Sequence, residues 1–119
     1  DLRGACFVGA TMHGVRMAYV DLSSMPIAGG HGRIWPSNFT GANLSASEFT
    51  EANLTGANFE GATLIGADLR GAVVTGASFV DADLTGADLR DVELSSCDLR
   101  GAIGVRDRLA EAINRITGH

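Results

Sequence analysis

The residues of this chain able to do acid–base, nucleophilic or metal chemistry are few and scattered. His13, His31 and His119 lie far apart and lack metal-ligand spacing. No Ser/His/Asp arrangement, phosphate loop or dinucleotide fingerprint occurs. The Gly-Ala-rich tract looks like a nucleotide loop only superficially, because its glycines keep a constant beat. These features argue against an enzyme and imply no cofactor and no metal. The patterned chemistry is charge. Glu48, Asp68 and Asp88 are spaced by twenty, and Arg70 and Arg90 stand two residues beyond the last two. Such a set can form ion pairs and hydrogen bonds to a partner.

The elements that must position these charges follow from the beat itself. Every fifth residue from Phe39 to Leu99 is large and apolar. Two residues before each sits a small residue, mostly Ala, and between them a polar one, often Asp or Asn. A five-residue period is neither the two of a strand nor the 3.6 of a helix. Five helical steps turn about 500°, which would spiral the leucines round every side. A unit this short cannot bury its own side chain and must stack on copies of itself. If each unit forms one side of a square, four units close a coil, with the small and large apolar residues inside. Phe39, Phe59 and Phe79 are spaced by twenty and then form one stacked column. The other columns are Leu44/Leu64/Leu84, Phe49/Leu69/Leu89 and Leu54/Val74/Leu94, with Leu99 ending the phenylalanine column.

These residues closely resemble the pentapeptide-repeat family, whose consensus is A-(D/N)-L-X-X. Ala52-Asn53-Leu54-Thr55-Gly56, Ala67-Asp68-Leu69-Arg70-Gly71 and Ala87-Asp88-Leu89-Arg90 carry the likeness, which extends over residues 1–104. The resemblance implies an all-β fold, a right-handed quadrilateral β-helix of about five coils. It also implies binding as the function. Some bacterial members imitate the width and negative surface of B-DNA and bind DNA gyrase or topoisomerase IV, protecting against fluoroquinolones or toxins.

Residues 1–27 already keep the beat, with centres Leu2, Phe7, Met12, Met17, Leu22 and Ile27 and looser small positions at Val15, Val20 and Met25. The next centre is Ile34, seven residues on, so residues 28–36 hold a two-residue insertion rich in glycine. In that register Leu22 stacks on Leu44, Ile27 on Phe49, Ile34 on Leu54 and Met17 on Phe39. Trp35 follows the slip. It either folds over a side wall or forms part of a partner-binding loop. Residues 105–119 break the beat. Leu109, Ile113 and Ile116 share a helical face that would cap the last coil, or join two copies end to end as a homodimer.

Length and charge bound the rest. The chain has 119 residues, enough for one domain, and a net charge of −5 with no Lys, which does not suit a direct nucleic-acid binder. No run approaches a membrane span and no signal peptide is visible, so a cytoplasmic location is expected. Cys6 and Cys97 fall about four coils apart, roughly 19 Å, too far for a disulfide. The opening on Asp1-Leu2, inside a repeat, leads us to expect a trimmed chain with more coils or another domain ahead of it. The functional expectation is a scaffold presenting its walls to another protein. The alternative is a DNA-mimicking binder of a type II topoisomerase. Glu48, Asp68, Asp88, Arg70, Arg90 and Trp35 are the candidate contact residues. Glu93, Asp98 and Asp83 add acid on the walls either side.

Overall fold

A computed structural model of the chain describes residues 2–26 and 34–105. Its backbone is a four-sided parallel coil. Asn38 bridges Asn58, Asn43 bridges Thr63, Glu48 bridges Asp68 and Asn53 bridges Val73, all in parallel and all at an offset of twenty. Four such bridges per turn make four flat walls.

Each of the five N–H groups of a repeat has its own outlet. Phe39 N–H donates to Asn58 O in the next coil, and Gly41 N–H to Glu60 O. Ala42 N–H closes the corner onto Phe39 O, and Asn43 N–H reaches back to Ala10 O of the coil before. The fifth, on Thr40, goes to Asn38 Oδ1 of its own repeat at 3.0 Å. That last bond explains the polar position of the repeat. A short carboxylate or amide there caps the N–H two residues on, as in an Asx turn, and an uncapped N–H would be costly. Positive φ falls on Gly41 and not on Thr40, which makes the corner a type II turn. Tyr19, Ala46, Glu51, Asp81 and Asp91 occupy equivalent corners with positive φ despite their side chains.

The inward positions fill the coil. Phe39, Leu44, Phe49, Leu54, Phe59, Leu64, Leu69, Val74, Phe79 and Leu84 are buried together with the alanines two residues before most of them, and Leu89 and Val92 extend the core. Phe39, Phe59 and Phe79 stack as expected, with ring centroids 4.8 and 5.0 Å apart and planes within 3°. Phe49 meets Phe39 and Phe59 edge-on. Such offset and edge contacts add about 0.5–1.5 kcal/mol each beyond burial.

The first coil joins in a different register from the one its beat suggests. Cys6 bridges Asn38, Thr11 bridges Asn43, Arg16 bridges Glu48 and Asp21 bridges Asn53, an offset of 32 against the usual twenty. The insertion is therefore twelve residues, 25–36, and not two. Phe7 stacks on Phe39 at 5.0 Å. The ladder bonds likewise lay Met12 over Leu44, Met17 over Phe49 and Leu22 over Leu54. Met25 and Ile34 are not column positions. They belong to a short antiparallel pair, β1 (Met25–Pro26) and β2 (Ile34–Trp35), which leaves the rod after Ser24 and returns at Ser37. Ile27 lies outside the described residues, and its expected place on Phe49 is taken by Met17. Ser37 restarts the coil. Its Oγ accepts from Gly4 N–H at 3.0 Å and approaches the carbonyls of Leu2 and Ser23 at 3.5 Å.

At the other end the wall of Val73 loses its partner, for Glu93 forms no bridge. Leu94, Cys97 and Leu99 are only partly buried. Val105 closes the described end, buried behind Gly104. A side chain on Gly104 would run into the backbone of Leu84 and Thr85, and its φ of 87° also favours glycine. The expected cap helix, with Leu109, Ile113 and Ile116, lies outside the described residues.

A candidate interaction wall

The charged wall is built by the repeats centred on Met17, Phe49, Leu69 and Leu89. The bridges stack Arg16, Glu48, Asp68 and Asp88 in one vertical column. The next outward residues, Ala18, Thr50, Arg70 and Arg90, form a second column beside it. The ladder of Glu48, Asp68 and Asp88 thus exists as the spacing implies, with Arg70 and Arg90 on the same wall.

Its electrostatics differ from those of an acidic stripe. Arg70 donates through Nε and Nη2 to Asp68 at 2.9 and 2.7 Å, a bidentate pair. Its Nε also lies 3.7 Å from Asp88 in the coil below. Arg90 grips Asp88 in the same way, with Nη2 at 2.7 Å. Arg16 lies 3.5 Å from Glu48. Three carboxylates are matched by three guanidiniums. Asp68 and Asp88 also cap the N–H groups of Arg70 and Arg90. The Arg70 hydrogen bond, partly opposed by desolvation, lowers the Asp68 pKa to about 2. Asp88 is lowered by Arg90 in the same manner, and both guanidinium pKa values are raised by their carboxylates.

The register of the first coil hid Arg16, which belongs on Glu48 and not above Asn38. The one sequence signal that could have placed it is Phe7, the only residue that extends the phenylalanine column upward. Asp98 stands on the wall opposite, below Ser78, and not on a neighbouring one. There it pairs with Arg100 at 2.7 Å. Trp35 sits in β2, off the charged wall. Cys6 and Cys97 are free thiols, the first exposed and the second half-buried, with burial raising the Cys97 pKa. Among the described residues no group of His, Cys, Asp and Glu could hold a metal ion, and no helix is long and apolar enough to cross a membrane.

A family model described as pentapeptide repeats (8 copies) matches residues 37–76 and again residues 67–103. The chain is a pentapeptide-repeat protein. The four-sided coil is accordingly the right-handed quadrilateral β-helix that the family fold implies. Among solved structures, the pentapeptide-repeat protein Rfr23 of the cyanobacterium Cyanothece 51142 is 20% identical, over 82% of this chain and 90% of that one, with a TM-score of 0.42. HetL of Nostoc sp. strain PCC 7120, involved in heterocyst differentiation regulation, is 27% identical over 84% of this chain, with a TM-score of 0.37. The chain spans 49% of HetL's length. Full-length QnrB1, a plasmid-mediated fluoroquinolone resistance protein, is 25% identical over 98% of this chain and 65% of its own, with a TM-score of 0.31. No curated protein matches the sequence.

Proposed function

We propose that this pentapeptide-repeat protein is a non-enzymatic scaffold that holds its side walls out to another protein, with the charged wall as its principal face. The observation that carries this reading is the ordered set of ion pairs on that wall: Asp68 and Asp88 are each held by an arginine and by a backbone N–H, and Arg16 lies 3.5 Å from Glu48 in the next coil. A flat face with preset donors and acceptors loses little side-chain freedom on binding, which favours association.

The same pairs count against a DNA-mimicking binder of gyrase or topoisomerase IV, although QnrB1 is a fluoroquinolone resistance protein. A phosphate mimic needs unbalanced negative charge. Here Arg16, Arg70 and Arg90 neutralise the column of Glu48, Asp68 and Asp88. Two measurements test the proposal. A supercoiling assay with gyrase, with and without a fluoroquinolone, should show neither inhibition nor protection at high micromolar protein. Inhibition or protection lost on charge reversal at Asp68 and Asp88 would overturn the scaffold reading in favour of the mimic. A photo-crosslinker at Thr50, in extract of the source organism, should capture a partner that one at Thr40 on the opposite wall does not. Equal capture from both walls would remove the charged wall from its role.

A further inference from the structure

The charged wall is complementary to itself, and the geometry points to a second copy of this chain as an occupant, laid side by side with the first. This rests on reading the wall as a protein-binding face. Consider two parallel rods with charged walls facing and a two-fold axis running along the rods between them. That operation exchanges the two columns. Asp68 then faces the partner's Arg70 and Arg70 the partner's Asp68. Asp88 and Arg90 repeat the exchange one coil lower. Glu48 faces the partner's Thr50, an uncharged residue whose hydroxyl pairs with Asp68 of its own chain. Arg16 faces only the partner's Ala18. No like charges oppose each other. A two-fold axis across the rods would instead set acid against acid.

Two further observations fit the same operation. Arg70 and Arg90 spend Nε and Nη2 on their own carboxylates, and among the described residues Nη1 of each makes no hydrogen bond. These are the donors a second carboxylate would take. The two edges of the wall are also unequal. One carries Tyr19, Glu51, Gly71 and Asp91, and the other Gly14, Ala46, Gly66 and Gly86. The two-fold lays the bulky edge of one copy over the bare edge of the other, at matching heights. Tyr19 is 78% exposed and held at a φ of 63°, a conformation a tyrosine rarely adopts. In the pair it lies over the partner's Gly14, where there is room for the ring.

The wall is about 16 Å wide and its four coils about 19 Å tall, so each copy covers roughly 300 Å². That is well below the ~800 Å² per partner of a stable complex, so the pair forms weakly and weakens with salt.

Sedimentation equilibrium up to about 1 mM protein in low salt tests it. The wild-type chain should show a monomer–dimer equilibrium in the hundreds of micromolar. R70E/R90E makes the wall acidic while keeping both Asp caps. D68N/D88N makes it basic while the amides still cap. Each variant, checked for folding by circular dichroism, should weaken dimerisation about tenfold, and an equimolar mixture of the two should restore it. A wild-type chain monomeric throughout overturns the inference. So does a dimer that persists in both variants, which would use another surface, or a mixture that stays monomeric. Crosslinking in extract is run far below the concentrations that populate this pair, and a captured second copy is told from another protein by its mass, so the two readings fail separately.

Discussion

The charged wall and the wall across the rod from it are built by the same rule and turned to different ends. Inside, Met17, Phe49, Leu69 and Leu89 back the first, and Phe7, Phe39, Phe59, Phe79 and Leu99 back the second. Outside, the first carries Glu48, Asp68 and Asp88 where the second carries Asn38, Asn58 and Ser78. Asp68 and Asn58 do the same structural work, each capping the N–H two residues on, at 3.1 and 2.9 Å. An acid in the repeat is therefore not by itself a sign of function, because an amide serves the fold equally well. What separates the walls is the arginine column, present on one through two successive coils and on the other only at Arg100.

The common rule breaks most severely from the inside. Phe59→Asp places a charge between two stacked rings, at a site with no exposure. Truncating a buried Phe alone costs about 3–5 kcal/mol, and an unpaired buried carboxylate costs more. The variant should not fold, as read by circular dichroism. A folded variant of normal stability would rule out the coil.

The equivalence of the two caps is tested next. Asp68→Ala and Asn58→Ala should each lose about 1 kcal/mol in denaturant titration, by analogy with helix caps. Asn58→Asp should change stability by less than about 0.5 kcal/mol, and Asp68→Asn, which keeps the cap but gives up the ionised pair with Arg70, should lose less than Asp68→Ala. Loss of stability in Asp68→Asn equal to that in Asp68→Ala would mean that the charge, and not the cap, holds the wall.

The corners sharpen the contrast further. Ala46 sits at a φ of 60° on the bare edge of the charged wall, where most repeats use glycine. Ala46→Gly should stabilise by about 0.5–1 kcal/mol, since an L-residue pays for that conformation. A lower melting temperature would show that Ala46 is not strained.

The smallest effect concerns the excursion between the walls. Deleting residues 25–36 and placing Gly at Ser24 restores a five-residue step from Leu22 to Phe39. Stability should change by less than about 1 kcal/mol, because loop length carries little cost. Unfolding on deletion would make the β1–β2 pair part of the core.

That excursion marks the limit of what the sequence discloses. The lower three coils are legible because Phe39, Phe59 and Phe79 differ in type from their neighbours and recur at twenty. The first coil is not, because a five-residue beat defines an insertion only to within a multiple of five. Two extra residues and twelve leave the same beat, and every column stays apolar in either register. Only the stacking of Phe7 on Phe39 separates them. A register with two extra residues takes Arg16 off Glu48 and leaves the wall more acidic than it is. The acids, the arginines and exposed pairs between them are legible. The bidentate geometry is not, because it depends on side chains folding back two residues along one wall.

The central claim is that the charged wall is a set of bound ion pairs and not a bare acidic stripe. A carbon-detected NMR titration of the Asp68 carboxyl tests it most directly. The guanidinium of Arg70 holds the folded pKa at about 2, against an ordinary value of 3.8. A depressed carboxyl stabilises the fold above the unfolded value, and that contribution is lost as pH falls from near 4 toward 2. Asp68 should therefore remain ionised until about pH 2, and Arg70→Gln should return it toward the ordinary value. A wild-type midpoint near 3.8, unmoved by Arg70→Gln, would contradict the account.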